Sequence, residues 1–399
     1  MIKVYPRKDL DHSFGDLFTG LAMALFPSLG KKTIENEIED LWPKENLVTG
    51  LSVRTIFDSL LTFKDFDSGS EIIMSGITIP DMVKIVESHR LNIVSVDMDM
   101  ESLHVDKDSI LGAITERTVM VVVAHLFGSK MEMEHIYDAL NDYPDIMIVE
   151  DCAQAFDGVD GYVKGRMTDI SLFSFGTIKS ITALGGAIAF TKDQELKDNL
   201  KGSLELHPKI ENIHFLSKVL KYIILKILGR PFIYGLFIQF TRLMGIDYDK
   251  AIISTVRMVK DGDLLNSIRK NLTNSQLRYL LYRFTSMKKN HLQKRIEAGN
   301  YVKERLNNVK VHGTKNNTHS YWLFPIRTSH KSSLVRSLRD AGFDATFIST
   351  QLIAINSSVT NNSPIECKKY MDDTIYLPVY GSMPKNALDD LISVVNEGP

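Results

Sequence analysis

The chain has 399 residues, of which 44% are hydrophobic, and its formal net charge at pH 7 is −2. This size predicts a buried core large enough for two domains, whereas the near-neutral charge, without basic runs or zinc-finger spacing, excludes a nucleic-acid-binding protein and a zinc site. The only cysteines, Cys152 and Cys367, predict no disulfide framework and therefore a reducing compartment, the cytoplasm.

Residues 1–46 are predicted to form an amino-terminal arm. It contains one short helix, from Thr33 to Leu41, with Thr33 as its cap. The apolar stretch Leu17 to Leu29 follows several aspartates, which are the wrong flanks for a signal peptide. No uncharged apolar run approaches the roughly 20 residues that cross a bilayer. We therefore expect neither a leader peptide nor a membrane-spanning helix.

Residues 47–273 are predicted to form a large α/β domain. Apolar runs alternate there with segments of helical period, which indicates a mostly parallel sheet that helices cover on both faces. One helix is expected to begin near Pro80, because proline is tolerated in a first turn. The predicted strands are Glu71 to Met74, Asn92 to Val96, Val119 to Ala124, Ile146 to Val149, Ile170 to Phe173 and Ala187 to Phe190.

Two of these strands lead into residues that carry chemistry. Asp151 comes at the end of the strand that starts at Ile146, and Lys179 follows the strand that starts at Ile170. A lysine just beyond a buried strand is costly unless its amine is neutralised, paired or covalently used. Because open α/β sheets bind ligands at the carboxyl ends of their strands, the two residues predict a site in which Lys179 binds a cofactor covalently, opposite Asp151.

Several short motifs, in a fixed order, resemble a known family. They are Ala124 to Gly128, Glu150 to Gln154, Phe173 to Lys179, Gly185 to Ala187 and, near the carboxyl end, Tyr376 to Tyr380. On these motifs the chain resembles the DegT/StrS-type sugar aminotransferases, which are pyridoxal phosphate (PLP) enzymes of fold type I. The resemblance extends from about Thr33 to the end and is weakest between Asn212 and Thr273.

The resemblance implies a role for each of four residues. Lys179 would bind PLP covalently and later carry a proton between the donor's α-carbon and the cofactor, while Asp151 would keep the pyridine nitrogen protonated. Gln154 would contact the phenolic oxygen of the ring, and Ser174 would donate its hydroxyl to the phosphate. The alternative for each is structural: a loop lysine, a helix cap, a polar loop contact and a strand-end hydroxyl.

The remaining part of the cofactor site departs from the family pattern. Most relatives carry Ser-Gly-Thr at the loop that holds the phosphate, whereas this chain has Ser52, Val53 and Arg54, similar to a less-studied subgroup with arginine there. A loop that opens onto a helix binds anions through free N–H groups and the helix dipole. Arg54 would add a fork of donors, or would be a solvated helix residue. Many relatives also stack an aromatic side chain on the ring where this chain has Ile79.

Three further positions bear on reaction and assembly. The family's dehydratase branch has histidine in place of the lysine, so Lys179 favours amino transfer over dehydration. Relatives contribute an Asn-x-Arg segment across a dimer, and this chain departs from it with the order Arg269, Lys270, Asn271. The resemblance nevertheless implies a homodimer, because fold type I enzymes place the cofactor near a subunit interface. His125 is expected to be a core contact and is given no catalytic role.

A basic amphipathic segment at residues 212–246 is unusual. It has no acidic residue between Glu211 and Asp247, and five apolar residues share one helical face: Leu220, Ile223, Ile224, Ile227 and Leu228. Basic, aromatic-rich amphipathic helices are typical of interfacial membrane anchors. Residues 213–244 are therefore candidates for peripheral membrane contact, and the alternative is that both predicted helices pack against the catalytic domain or across the dimer.

Residues 274–399 are predicted to form a linking helix and a smaller C-terminal α+β domain. The helix runs from about Asn274 to Asn307. Two strands, Tyr321 to Ile326 and Ala345 to Ile348, flank a helix from Ser332 to Asp340 that Gly342 ends. Asn356 to Ser363 is predicted to be a loop, long enough to be mobile or functional.

These features together predict an enzyme. We expect a PLP-dependent aminotransferase that transfers an amino group from an amino acid, such as glutamate, to a keto or aldehyde sugar that is linked to a nucleotide. The sequence leaves two alternatives open. One is a membrane-associated, non-catalytic relative, and the other is a PLP enzyme that acts on a lipid-linked or non-sugar carbonyl compound.

Overall fold

The structure, a computed structural model, describes residues 3–26, 30–161, 165–246, 248–249, 263–287, 289–347, 351–359 and 364–398. Its strands are β1 (Asn46–Gly50), β2 (Glu71–Ser75), β3 (Ile77–Thr78), β4 (Asn92–Val96), β5 (Thr118–Ala124), β6 (Ser129–Lys130), β7 (Met147–Asp151), β8 (Ile170–Ser174), β9 (Ala187–Thr191), β10 (Lys310–Val311), β11 (Thr318–His319), β12 (Phe324–Arg327), β13 (Ile353–Ala354) and β14 (Thr374–Leu377).

The α-helices of the same residues follow in chain order. They are α1 (Phe14–Leu25), α2 (Lys31–Glu39), α3 (Val53–Lys64), α4 (Pro80–Ser88), α5 (Lys107–Ala113), α6 (Glu134–Leu140), α7 (Gln194–Glu205), α8 (Asn212–Leu228), α9 (Pro231–Leu243), α10 (Leu264–Ile268), α11 (Asn274–Thr285), α12 (Lys289–Lys303), α13 (Lys331–Asp340), α14 (Ile365–Asp373) and α15 (Lys385–Glu397).

The large sheet has the strand order β1-β9-β8-β7-β5-β2-β4. Strands β8, β7, β5, β2 and β4 are parallel, whereas β9 runs antiparallel to both of its neighbours, β1 and β8. Strand β1 therefore points the same way as β8, and the carboxyl ends of all strands except β9 lie at one edge of the sheet. The predicted mostly parallel α/β fold is confirmed.

Side chains of the central strands alternate between two cores, one on each face of the sheet. In β5, Met120 and Val122 pack in the core that α3 and α7 cover, whereas Val121 and Val123 pack with residues of α5 and α6. A strand buried on both faces needs apolar residues at every position. This is why these strands appear in the sequence as continuous apolar runs.

The amino-terminal helices pack against one face of this sheet, near β1 and β9. Leu17 of α1 and Ile34 of α2 share a core with Phe190 of β9, Phe215 of α8 and Tyr279 of α11. Helix α1 was not predicted, although Ser13 and Asp16 form a capping box at its start. The domain boundaries at residues 46 and 273 stay predictions.

The C-terminal part builds a small antiparallel sheet of order β10-β12-β14. Phe324 of β12 lies opposite Leu377 of β14, and both belong to a core to which α12, α13 and α15 contribute. Helix α13 ends before Gly342, whose φ of 87° is in the left-handed region. The predicted helix from Ser332 and its glycine stop are thus confirmed.

Three predicted elements differ from the structure at this end of the chain. Residues 274–307 form two helices, α11 and α12, instead of one. The Thr285 hydroxyl at the break donates to the carbonyls of Leu281 and Tyr282, a local bond that competes with continued helix. The strand predicted from Tyr321 begins only at Phe324, because Tyr321 has a φ of 46°.

The strand predicted from Ala345 to Ile348 is also wrong. In its described part, Thr346 makes a single bridge to Tyr376, and Ile348 lies outside the described residues.

Helix α2 begins at Lys31 with Gly30 as its N-cap, so Thr33 is not the cap. Residues 356–359 have no regular structure, and the rest of the predicted loop, 360–363, lies outside the described residues.

Helices α8 and α9 carry apolar side chains on two faces. Phe215, Val219 and Tyr222 of α8 are buried in the core with α1 and α11, so this face of the helix packs within the fold, as the alternative prediction has it. On the predicted apolar face, Leu220, Ile224 and Ile227 are exposed, and Ile223 and Leu228 are half-buried. Within the described residues, α8 and α9 together have the length and composition of a membrane span but bend by 93°, and no single helix is long and apolar enough to cross a membrane.

Candidate active site

Lys179 lies in the segment that connects β8 to β9, at the edge of the sheet where the parallel strands end. Its N–H donates to the carbonyl of Gly176 at 3.0 Å. The segment closes with Leu184, Gly185 and Gly186, whose φ values of 61°, 143° and 97° are all positive. A Cβ on Gly185 would lie 2.3 Å from Nε2 of Gln276, so glycine is required there both by conformation and by space.

Asp151 is the last residue of β7, next to β8, and its side chain interacts electrostatically with Lys179. Burial lowers the pKa of Lys179 to about 8, and Asp151 opposes this effect while Arg54 adds to it. Burial also raises the pKa of Asp151, which the N–H of Ala153 and the amine of Lys179 counteract. The Ala153 N–H donates to the carboxylate at 2.9 Å. The site thus holds a carboxylate and an easily neutralised amine at two adjacent strand ends.

The start of α3 forms the second side of the site. Ser52 is the N-cap, and its hydroxyl accepts a bond from the N–H of Thr55. The N–H groups of Val53 and Arg54, in the first turn, have no partner within the helix, while the side chain of Val53 is buried in the core. The Arg54 guanidinium makes an ion pair with Asp81 at the start of α4, so it is not a freely solvated residue.

Strand pairing brings this helix start close to Ser174. Gly50, at the end of β1, and Ser174, at the end of β8, both lie opposite Ala187 on the two sides of β9. The N–H of Gly186 also donates to the carbonyl of Leu51 at 3.0 Å. The Ser174 hydroxyl accepts a long bond of 3.4 Å from the N–H of Gly176. The predicted phosphate-binding groups therefore come from the ends of the two strands that flank β9.

The other two predicted residues border the site differently. Oε1 of Gln154 accepts a hydrogen bond of 2.9 Å from the N–H of Phe127, which fixes the side chain against the end of β5. Ile79 is the N-cap of α4 and half-buried. It packs at the margin of the core below α3, as does Ala153. Its side chain thus packs with both cores that flank the sheet.

A cleft beside Lys179 contains residues that the sequence did not predict. Its lining includes Lys8 of the amino-terminal segment, Arg295 of α12 and Trp322. The amines of Lys179 and Lys8 lie 4.5 Å and 3.9 Å from the centre of the Trp322 indole ring. No local pattern marks these residues, because only the tertiary structure brings them to Lys179.

Three residues discussed from the sequence make contacts within the chain. His125 is buried, with Nε2 at 2.9 Å from the Glu150 carboxylate and Nδ1 accepting from the N–H of Met131, as expected of a core contact. Arg269 makes two bonds to the carboxylate of Asp58. Asn271 donates to the carbonyls of Leu204 and His207. Both side chains are thus held by contacts within the chain, and the cross-subunit contact stays a prediction.

Parts of the sequence are similar to those of curated proteins. One relative, the dTDP-3-amino-3,6-dideoxy-alpha-D-galactopyranose transaminase of Aneurinibacillus thermoaerophilus, is 30% identical over 172 residues, which are 42% of this chain and 46% of that protein. The chain spans less than half the length of the curated relatives it matches.

Two solved structures show that the fold is shared over the whole chain. The sugar aminotransferase CalS13 from Micromonospora echinospora has a TM-score of 0.68 at 15% identity and covers 99% of this chain and 100% of its own. The E. coli GDP-4-keto-6-deoxy-D-mannose-3-dehydratase with bound hydrated PLP has a TM-score of 0.72 at 16% identity and covers 99% and 100%. Residues 33–216, which include all the strand ends of the site, match the model of the DegT/DnrJ/EryC1/StrS aminotransferase family.

Proposed function

We propose that this protein is a PLP-dependent aminotransferase. It would take an amino group from an amino acid, with glutamate as the expected donor, and transfer it to a keto or aldehyde sugar linked to a nucleotide. The observation that carries the proposal is the pairing of Lys179, whose pKa burial lowers to about 8, with Asp151 at adjacent strand ends. Curated relatives named as sugar transaminases support the substrate class.

The groups at the sheet edge fit PLP by their chemistry. A primary amine that is readily neutral suits covalent attachment to an aldehyde. A buried carboxylate suits a protonated pyridine nitrogen, because the added positive charge favours the ionised acid. The hydroxyls of Ser52 and Ser174, the first-turn N–H groups of α3 and the Arg54 guanidinium together suit a phosphate. Ile79 would lie against the ring.

Each residue of the site would have its own role in the reaction. PLP, when bound, supplies an electron sink for the charge that develops at the substrate's α-carbon. Lys179 Nζ would remove the proton from that carbon and carry it to the cofactor. Asp151 would hold the proton on the pyridine nitrogen, and Gln154 would contact the phenolic oxygen. A histidine at this position could not attach the cofactor in the same way, which favours amino transfer over dehydration.

The proposal is tested by the absorbance spectrum of the purified protein loaded with PLP. We expect a band near the edge of the visible range that borohydride reduction removes, and its conversion to the amino form of the cofactor when glutamate is added. The variant Lys179→Met should lose the covalent band, whereas Lys107→Met, an exposed lysine on α5, should retain it. A normal covalent band in Lys179→Met would refute the proposed attachment.

Substrate profiling separates this proposal from its alternatives. Accumulation of an aminated nucleotide sugar supports it, whereas turnover of only lipid-linked or non-sugar carbonyl compounds supports the second kind of enzyme. A non-catalytic relative would give neither a covalent band nor a response to glutamate. The set of Lys179, Asp151, Gln154 and Ser174 speaks against that last alternative, because all four lie at the same edge of the sheet.

We also propose a peripheral membrane contact in the cytoplasm, through residues 213–244. Helix α9 exposes an apolar stripe of Phe232, Leu236, Phe240 and Leu243, and the last two are 58% and 86% exposed. Helices α8 and α1 add the exposed side chains of Leu220, Ile224, Ile227, Phe18 and Leu25. Such a large exposed apolar surface marks an interaction site.

The charge of this surface favours an anionic bilayer as its occupant. Five basic residues and no acidic ones occur between Glu211 and Asp247, and among them Arg230 and Arg242 are exposed. Basic residues near an apolar helix face strengthen binding to anionic lipids. The bend of 93° between α8 and α9 suits contact with the interface rather than passage through it.

Vesicle flotation tests this contact. The protein should float with vesicles that contain anionic lipid at low salt, and the double variant Leu236→Ser with Phe240→Ser should stay at the bottom. Ile365→Ser removes a side chain that is 71% exposed on α14 and should float like the parent. No flotation of the parent protein overturns the contact. If instead the double variant dissociates a homodimer, as light scattering would report, the surface is the subunit interface.

A further inference from the structure

Three basic side chains meet in the cleft beside Lys179. Lys8 and Lys179 approach the same indole ring, that of Trp322, at 3.9 Å and 4.5 Å, and the Lys8 amine also donates to the Trp322 carbonyl at 3.3 Å. Arg295 is only 9% exposed. It donates to the carbonyl of Ser320 at 2.6 Å and to the hydroxyl of Ser180, the residue after Lys179, at 3.1 Å.

None of these three basic groups is in direct contact with a carboxylate in the part of the chain that the structure describes. Among the described residues, neither Lys8, Lys179 nor Arg295 takes part in an ion pair within 4 Å, and all the hydrogen bonds of Lys8 and Arg295 given above go to neutral oxygens. The acids at the cleft have other direct partners: Asp9 pairs with Lys226, and Asp11 pairs with Arg283 and His291. Asp11 also attracts Lys8 and Arg295, but without contact. Arg295 is a buried cation, and Lys8 and Lys179 are half-buried amines. An anion that entered the cleft would be stabilised by all three groups, because no carboxylate of the described segments neutralises them already by contact.

We propose that Lys8 and Arg295 form an anion subsite that binds the carboxylate of the amino-acid donor, next to the amine of Lys179. This rests on the proposed aminotransferase function. The donor's nitrogen would have to reach the place that the Lys179 amine occupies, and the donor's α-carboxylate is only one bond from the carbon that bears that nitrogen. The carboxylate must therefore lie close to Lys179, as Lys8 and Arg295 do.

A phosphate of the nucleotide sugar is the other anion with suitable chemistry. It is separated from the reacting carbonyl carbon by atoms of the sugar ring, whereas Lys8 and Lys179 share one aromatic side chain. The short reach of the cleft thus favours the carboxylate. The planar fork of Arg295 also matches a carboxylate, which can accept two parallel N–H bonds.

Anion binding should also change the protonation of Lys8. Burial, together with the nearby charges of Arg295 and Lys179, holds the pKa of Lys8 well below its usual range. A carboxylate between the cations raises the proton affinity of an amine. Binding of a non-reacting dicarboxylate near neutral pH should therefore take up protons, which calorimetry detects as a dependence of the heat on the ionisation enthalpy of the buffer.

The experiment titrates the PLP-loaded protein with glutarate and, separately, with inorganic phosphate. Glutarate has two carboxylates but no amine and no keto or aldehyde group, so it cannot react. We expect glutarate to bind with proton uptake, and Lys8→Met to weaken its binding about tenfold or more. Lys107→Met should bind it normally. Arg295→Lys, checked for folding by circular dichroism, should weaken it as well.

Each outcome has one meaning. Unchanged glutarate affinity in Lys8→Met overturns the subsite. Phosphate binding that depends on Lys8 and is tighter than glutarate binding also overturns it, because that result assigns the cleft to the phosphates of the nucleotide. Failure of the protein to attach PLP is seen in the absorbance spectrum before any titration. That result would refute the proposed function itself and is distinct from a failure of glutarate to bind to the loaded protein.

Discussion

At the scale of single residues, the position of Lys179 determines its reactivity. The amine is placed beside an indole ring and is partly removed from water, which disfavours its charged form. Asp151 and Arg54 act on it in opposite directions. The result is an amine that is neutral far more often than that of a solvent-exposed lysine, as the proposed attack on the aldehyde of PLP would require.

This environment predicts the pH dependence of cofactor attachment. The pKa of Lys179 is lowered from 10.5 to about 8, so the reactive neutral fraction should rise roughly tenfold per pH unit below pH 8 and level off above it. The initial rate of PLP capture by the cofactor-free protein, followed by absorbance from pH 6 to 10, measures this. A rate that keeps rising to pH 10, as for a lysine in a short peptide, contradicts the lowered pKa.

Asp151 offers a second test at this scale. Asp151→Asn keeps an oxygen that can accept from the Ala153 N–H but removes the charge that would hold a proton on the cofactor nitrogen. We expect PLP to attach as before, while the rate of amino transfer from glutamate falls by about 100-fold or more. Stopped-flow absorbance measures that rate. Asp106→Asn, at the exposed cap of α5, is the control, and an equal rate in both variants argues against the role of Asp151.

At the scale of elements, the start of α3 is the part of the site that departs most from the family pattern. The groups predicted to bind phosphate there are backbone N–H donors, which every residue except proline provides, so the Val53 side chain can fill the core. Arg54 is held in place by Asp81. An ion pair of this kind orients the guanidinium in the absence of a phosphate, so the element is organised before the cofactor arrives.

This arrangement predicts which part of the cofactor Arg54 recognises. Arg54→Met should weaken PLP binding about tenfold, since a charge-assisted bond to phosphate is lost, and should leave the affinity for pyridoxal, which lacks the phosphate, unchanged. Equilibrium dialysis with both compounds provides the comparison. Arg166→Met alters an exposed arginine far along the chain and should affect neither. An equal loss of affinity for pyridoxal would show that Arg54 acts on the fold instead.

The same scale explains which elements could be predicted from the sequence. Strands such as β5 and β7 were predictable because burial on both faces leaves continuous apolar runs, and Asp151 and Lys179 were recognisable because they follow such runs. The break between α11 and α12 was not, because the polar pattern continues through it. The place of Trp322, Lys8 and Arg295 beside Lys179 could not be predicted either, since their proximity arises only from contacts between distant parts of the chain.

At the scale of the whole molecule, one buried ionic cluster joins segments that are far apart in sequence. Asp344 is 1% exposed and accepts two bonds from Arg7 and one from the hydroxyl of Tyr234. Arg7 also pairs with Asp249 at 2.6 Å. The cluster thereby ties the amino-terminal segment, α9 and the C-terminal part together, next to Lys8 and the cleft.

Loss of one member should therefore reduce global stability. Arg7→Met leaves the Asp344 carboxylate buried without its cation, and we expect a loss of about 3 kcal/mol in the free energy of unfolding. Arg166→Met removes an exposed pair with Glu134 and should change the same quantity by less than about 1 kcal/mol. Urea denaturation followed by circular dichroism measures both. Equal effects of the two substitutions would contradict the role of the cluster.

The position of Trp322 allows ligand binding to be followed by tryptophan fluorescence. The chain has only two tryptophans: Trp42 is in the core with α1 and α2, and Trp322 is within 4.5 Å of the Lys179 amine. A chromophore attached to that amine would accept excitation energy from the neighbouring indole and quench its emission. The variant Trp42→Phe would then carry a single fluorophore that reports, without any added label, whether the cleft is filled.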